Sequence, residues 1–159
     1  PGVKEESVHL ARFEKLDDLA EDSPAAAAWE RLTAWREEVA ILLEAARREK
    51  VIGSSLEGGI ALTADAALDA DRAATGFSGR AFADLFIVSE LTEGASPAAA
   101  GDWQASAVYP GLRMRFVKAP GTRCDRCWKV TPEADDTGLC DRCRKVLSGL
   151  EPAAVAAPA

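Results

Sequence analysis

The four cysteines of the chain form two pairs, Cys124 with Cys127 and Cys140 with Cys143, and 12 residues separate the pairs. Each C-x2-C pair can turn two sulfurs towards one centre, and the intervening segment is long enough for a hairpin that brings the pairs together. Four thiolates fill every position of a tetrahedral Zn²⁺ site and leave none for a substrate. The spacing therefore predicts one structural zinc ion.

Two disulfides or an iron–sulfur cluster are the alternatives for four cysteines, and the paired spacing in a hydrophilic hairpin favours zinc. Disulfides are typical of small secreted domains, whereas this chain is 48% hydrophobic and shows no signal peptide. We therefore expect a reducing, cytoplasmic location. The chain has no apolar run of about 20 residues that could cross a bilayer, so we expect no membrane partner.

The formal net charge of −7 hides an uneven distribution along the 159 residues. Residues 1–111 contain 20 acidic and 10 basic residues, whereas residues 112–150 contain 5 acidic and 9 basic residues. Surfaces that bind phosphates are normally basic, so only the part around the cysteines favours a nucleic-acid partner. Four thiolates around Zn²⁺ would add about two negative charges and offset part of that excess.

A long amphipathic helix is predicted from Ala25 to about Val51. Ser23 can cap its N-terminus with Pro24 at the first helical position, and Gly53 can end it. Its apolar residues recur at alternating spacings of four and three, which is one face of a 3.6-residue period: Ala28, Leu32, Trp35, Val39, Leu42 and Ala46.

Shorter elements follow this helix. We predict a strand at 59–63, a second helix capped by Thr63 or Asp65, and further strands at 85–88, 103–108 and 112–116. The fold class is therefore α+β, with the long helix packed on a small mixed α/β subdomain and followed by a four-cysteine zinc-ribbon or knuckle hairpin. The predicted boundaries are 1–57 for the helical part, 58–118 for the α/β subdomain, 119–150 for the zinc finger and 151–159 for a disordered tail.

No catalytic motif is legible in the sequence. His9 is the only histidine and has no motif around it, and Gly58 and Gly59 lack the Lys-Ser/Thr that follows in a phosphate-binding loop. We therefore expect no catalytic residue and no cofactor other than the metal in this chain.

Several segments resemble the C-terminal region of bacterial isoleucyl-tRNA synthetases, which are class I aminoacyl-tRNA synthetases. The run from Arg36 to Glu57 resembles the last long helix of the anticodon-binding domain and the turn after it. The segment 83–90 and the motifs Cys-Asp-Arg-Cys-Trp-Lys (124–129) and Leu-Cys-Asp-Arg-Cys (139–143) resemble later parts of that region in the same order. The resemblance covers roughly residues 5–150, and the cysteine motif is its most specific part.

The resemblance implies a fragment of a monomeric isoleucine–tRNA ligase that binds the anticodon region of isoleucine tRNA together with the rest of the parent enzyme. The HIGH and KMSKS motifs that act on ATP in that family are missing here, so the fragment itself would be inactive and ATP would bind only in the missing catalytic domain. The implied tRNA contacts lie at the end of the long helix and around the cysteines: Arg47, Arg48, Lys50, Ser54, Ser55, Arg123, Arg126, Trp128, Lys129, Arg142, Arg144 and Lys145.

Two interpretations of Trp128 are open at this point. Its ring could stack on an unpaired base of an RNA loop, or it could cover a zinc knuckle that has no other core, and core packing is slightly favoured.

Two other functions compete with the synthetase interpretation. Formamidopyrimidine-type DNA glycosylases end in a similar four-cysteine zinc hairpin and use an N-terminal proline, and this chain begins with Pro1. Gly2-Val3-Lys4 replaces the acidic residues that should follow, so we interpret Pro1 as a boundary of the piece and expect no DNA partner. The other rival is a zinc ribbon that binds protein without catalysis.

Overall fold

The long helix, α1, runs from Pro24 to Arg48 and begins as predicted. The Ser23 hydroxyl accepts a hydrogen bond from the Ala26 N–H at 3.1 Å, and Pro24 takes the first helical position, where its missing N–H is not needed. The helix ends before Gly53, because Lys50 adopts a left-handed φ of 59° that turns the chain out of the helix.

The computed structural model describes residues 6–10, 23–77, 79–96, 98, 101–134 and 136–150. The predicted tail, 151–159, and Pro1 lie outside these residues. Besides α1, the helices are α2 (Ala66–Thr75), α3 (Gly79–Leu85) and α4 (Asp141–Ser148), with 3-10 turns at Val8–Leu10 and Ser55–Glu57. Among the described helices, none is long and apolar enough to cross a membrane.

Four strands form one mixed sheet in the order β2-β1-β4-β3. They are β1 (Gly58–Leu62), β2 (Glu90–Thr92), β3 (Gln104–Ala105) and β4 (Arg113–Lys118). β1 runs parallel to β2 and antiparallel to β4, with Ile60 opposite Phe116, and β3 pairs antiparallel with β4. A separate two-stranded hairpin, β5 (Thr122–Arg123) with β6 (Val130–Thr131), carries the first cysteine pair in its turn. The predicted α+β class is confirmed.

The apolar face of α1 packs on α2, α3 and the sheet in one core. Trp35 is fully buried at its centre, with ring centroids 5.8 Å from Phe82, 4.7 Å from Phe86 and 5.6 Å from Tyr109. Leu32, which is also fully buried, belongs to the same cluster. Each such large apolar side chain stabilises the fold by roughly 1.5–3 kcal/mol relative to exposure.

The predicted strand at 85–88 is wrong. Residues 79–85 form the helix α3, and Phe86 and Ile87 form the turn that follows it. The four-residue spacing of Phe82 and Phe86 is about one helical turn, and it places both rings against Trp35. Ile87 has a φ of 57°, so it ends the helix and is half exposed.

The strand predicted at 103–108 shortens to β3, at 104–105. Ser106 turns the chain back, because its N–H donates to the Leu112 carbonyl at 3.0 Å and its hydroxyl accepts from the Tyr109 N–H at 3.0 Å. The other predicted elements are present as β1, α2 with Asp65 at its N-cap, and β4.

A buried polar network joins α1 to α2 and to the turn before β4. Asp71 on α2 is 4% exposed and accepts two hydrogen bonds from the Arg31 guanidinium, at 2.7 and 2.5 Å, and one from the Tyr109 hydroxyl, at 2.8 Å. The Arg31 hydrogen bonds hold the pKa of Asp71 below its usual value, although burial opposes this. Burial and the bond to Asp71 raise the pKa of the Tyr109 hydroxyl.

Replacing Asp71 with Asn should lower the free energy of unfolding at pH 7 by roughly 1–3 kcal/mol, because it removes a buried charge that two partners satisfy. The Asp71 carboxylate has a lowered folded-state pKa, so its contribution is complete above the unfolded pKa of about 4 and is lost as pH falls through the folded pKa. Urea unfolding should therefore show a gap between wild type and Asp71→Asn that narrows below about pH 4. The exposed Asp102→Asn is the matched control, and an equal effect from it would contradict this account.

Candidate metal centre and nucleic-acid interface

The two cysteine pairs converge at one end of the β5–β6 hairpin. Cys124 and Cys127 belong to the turn after β5, and Cys140 lies at the N-cap of α4 with Cys143 in its first turn. The Asp125 N–H donates to the Gly138 carbonyl at 2.8 Å, so the first pair is tied to the segment before the second. Gly138 has a φ of 73°, in the left-handed region that favours glycine, so the turn that brings its carbonyl to Asp125 suits this residue.

The four sulfur atoms lie within 4.8 Å of one another, and those of Cys127 and Cys140 are 3.8 Å apart. A tetrahedral zinc ion with Zn–S bonds of about 2.3 Å requires sulfurs about 3.8 Å apart. All four cysteines are free thiols, because these separations exceed the disulfide bond length of about 2.05 Å. The cluster could therefore hold a metal ion, and its donor set and spacing fit zinc.

The pKa values of Cys124 and Cys127 are shifted in opposite directions by their surroundings. Burial opposes ionisation of Cys124, but N–H groups of Cys127, Cys140 and Arg126 lower its pKa to about 6. Burial raises the pKa of Cys127 to about 11, and the neighbouring sulfurs add to that rise. Several thiolates packed this closely repel one another, so a bound cation would supply the charge that keeps them ionised.

The cysteines are the main apolar contacts of this module. Cys124, Cys140 and Cys143 are buried, and Cys127 and Leu139 pack against them at its margin. Because so small a cluster buries little area, a metal at this position would supply most of the stability of the module.

The structure places the predicted basic residues on two surfaces. The first, here called the helix-end surface, comprises Arg47, Arg48, Lys50, Ser54 and Ser55. Arg47 donates to the Ser55 hydroxyl at 2.8 Å and to Glu44 at 2.6 Å, so its guanidinium is held in place. The Ser54 hydroxyl caps the 3-10 turn that follows. Arg48 and Lys50 are exposed.

The second, here called the zinc-module surface, comprises four exposed bases and one exposed aromatic ring: Arg123, Arg126, Arg142, Lys145 and Trp128. Arg126 also donates to the Cys143 sulfur at 3.8 Å, so its guanidinium lies against the cysteine cluster. Two of the predicted contacts, Arg144 and Lys129, do not belong to this surface. Arg144 is half-buried and bonds to Asp141 and to the Leu139 carbonyl, so it braces α4.

Lys129 is the clearest departure from the expected surface of bases. Its side chain is 11% exposed and pairs with Asp84 on α3, so it does not belong to the zinc-module surface. The sequence pattern does not identify Asp84, because the apolar run at 85–88 beside it predicts a strand, whereas Asp84 lies on the helix α3. Ser89 accepts a hydrogen bond from the N–H of Val130, the residue after Lys129. The strand prediction at 85–88 gives no sign of this contact either.

Trp128 does not cover the knuckle. The residue is 63% exposed and has a φ of 65°, in the left-handed region that bulky side chains rarely adopt. Its N–H donates to the Cys124 carbonyl at 2.8 Å, so the knuckle turn fixes this backbone. The preference for core packing is therefore wrong, and the knuckle holds the indole towards solvent.

Known proteins provide an independent comparison. The chain is 36% identical to the isoleucine–tRNA ligases of Staphylococcus aureus strains JH9, Newman and N315, over an alignment of 154 residues that covers 94% of the chain. The chain is homologous to the C-terminal region of isoleucine–tRNA ligase. It spans 16% of the length of these relatives. No protein-family model matches it.

This homology to isoleucine–tRNA ligase confirms the resemblance predicted from the sequence and supports a role related to tRNA synthetases. It favours that interpretation over a DNA glycosylase or an unrelated zinc ribbon. The most specific part of the resemblance, the cysteine motif, coincides with the four-sulfur cluster.

Replacing Cys127 with Ser should release the metal and unfold residues 120–150 while leaving α1 helical, because the core around Trp35 does not include the cysteines. Elemental analysis should give about one zinc per wild-type chain and far less in the variant. Circular dichroism should retain the signal of the long helix. Trp128→Ala is the matched control in the same turn and should keep its metal, and complete loss of helicity in Cys127→Ser would contradict the expectation.

Proposed function

We propose that this chain is the part of a longer isoleucine–tRNA ligase that binds the anticodon region of isoleucine tRNA, while other domains charge that tRNA in an ATP-dependent reaction. The homology to isoleucine–tRNA ligase supports the parent activity. The observation that carries the binding role is the exposed indole of Trp128, held in left-handed backbone among exposed bases. At 63% exposure the ring is accessible to a base of an RNA loop.

In this proposal the metal is a structural zinc ion bound by Cys124, Cys127, Cys140 and Cys143. When bound, the zinc closes the knuckle and takes no part in a reaction, since its four positions are filled by sulfur. The protein residues then make the contacts with RNA. The knuckle fixes the backbone of Trp128, and the turn after Arg123 and the start of α4 present their bases on the same module.

The two basic surfaces would bind phosphates of the RNA. Guanidinium groups offer several N–H donors in a plane that matches phosphate oxygens, and Arg47 is already oriented by Ser55 and Glu44. Such contacts position an RNA without reading its sequence. They also make the affinity fall as salt rises, because each neutralised phosphate releases a counterion.

Trp128 would supply the contact that distinguishes a loop from a duplex. Base stacking on an aromatic ring requires an unpaired base, which the loop of an anticodon stem–loop provides and a continuous helix does not. The same proposal includes the predicted domain boundaries at residues 57 and 118. It also includes a cytoplasmic location, because free thiols persist there.

Titration with labelled RNA tests the proposal. A hairpin with the anticodon stem and loop of isoleucine tRNA should bind more tightly than a blunt RNA duplex of equal charge, and its affinity should fall steeply between about 50 and 200 mM salt. Trp128→Ala should remove roughly 1–3 kcal/mol of binding to the hairpin and much less to the duplex.

The matched control for the bases is Arg113, which is exposed on β4 and outside both surfaces. Arg123→Gln should weaken binding and lower the salt dependence by about one phosphate, whereas Arg113→Gln should change neither. Absence of hairpin binding even at low salt, in protein that retains its zinc, would refute the proposed role.

A further inference from the structure

Ser89, in the loop before β2, connects the zinc module to the turn that follows α1. Its hydroxyl accepts a hydrogen bond from the Val130 N–H at 2.9 Å and donates one to the Leu56 carbonyl at 2.6 Å. Both bonds are partly buried, and both join residues more than 30 positions apart. One side chain therefore links β6 of the hairpin to the 3-10 turn at Ser55–Glu57.

The ion pair of Lys129 with Asp84 lies next to this link. Asp84 belongs to α3. Phe82 of this helix and Phe86, just after it, pack on Trp35, so the main core sets the position of Asp84. The Lys129 side chain is buried but for 11% of its surface, and Lys129 precedes Val130 directly. A third link is the bond of the Ala119 N–H to the Glu57 carbonyl at 2.9 Å.

These links end at both basic surfaces. On one side, Leu56 follows Ser55, whose hydroxyl accepts from Arg47 of the helix-end surface. On the other side, Lys129 follows Trp128, and its carbonyl accepts from the Cys124 N–H at 2.8 Å. Hydrogen bonds and the peptide bonds between adjacent residues thus connect Arg47 through Ser89 to the zinc knuckle.

We propose that Asp84 and Ser89 are positioning residues that hold the helix-end surface and the zinc-module surface in one fixed arrangement, so that a single RNA contacts both. This inference rests on the proposed function. When one rigid body carries two weak contacts, binding of the first raises the effective concentration for the second, and the gain is lost if the geometry is free to vary. Neither residue touches the RNA in this account.

Because Asp84 is charged, the direction of the change in RNA affinity on Asp84→Asn tests the inference. If only overall charge mattered, Asp84→Asn would tighten RNA binding, because it removes a negative charge. If Asp84 positions the zinc module, the same variant loosens Lys129 and weakens binding. The two explanations therefore predict changes in opposite directions.

The experiment measures hairpin RNA affinity, zinc content and amide hydrogen exchange in the full chain. Asp84→Asn and Ser89→Ala should each weaken binding about tenfold with unchanged zinc content and faster exchange at Val130. Asp84→Glu and Ser89→Thr, which keep the carboxylate and the hydroxyl, should restore most of the affinity. Asp102→Asn, at an exposed site, is the control for charge alone and should bind at least as tightly as wild type.

Wild-type or tighter binding by both Asp84→Asn and Ser89→Ala would overturn the inference while leaving the proposed function intact. Loss of zinc from these variants would also overturn it, because the contacts would then serve folding alone. If wild-type protein with full zinc content fails to bind the hairpin, the proposed function fails and this inference fails with it.

Discussion

The burial of Trp35 is the constraint on which the arrangement of this molecule depends. Its indole contacts Phe82 on α3, Phe86 in the turn that follows α3, and Tyr109 in the turn before β4, so one side chain of α1 orients both segments. The direction of α3 then decides where Asp84 lies. The zinc module is attached to this framework through polar contacts, so its placement follows from the packing around Trp35.

A different kind of interaction organises the last thirty described residues. Four sulfurs take the place that a hydrophobic core would have, and a metal ion bound to them would replace area burial as the source of stability. Such a module needs few residues inside, so its bases and one tryptophan can face outwards. This is why a short segment can present a shaped, basic surface.

Local signals in the sequence were sufficient for α1, α2, β1, β4 and the four-cysteine cluster, because caps, helical periodicity and C-x2-C spacing act over a few residues. The segment at 85–88 failed because a short apolar run fits a buried strand or a helix end equally, and contact with Trp35 decides between them. The prediction that Lys129 belongs to the exposed basic surface failed for a related reason. Its partner Asp84 lies 45 residues away, so nothing near Lys129 shows that it is buried.

The central claim is that one RNA occupies both basic surfaces at once. Hydrogen exchange of the zinc-loaded chain with and without the anticodon stem–loop measures this directly, because bound segments become protected. The account predicts protection in residues 47–57 and in residues 123–130 at the same RNA concentration, with α2 unchanged. Protection of only one segment, or of the two at clearly different concentrations, would contradict it.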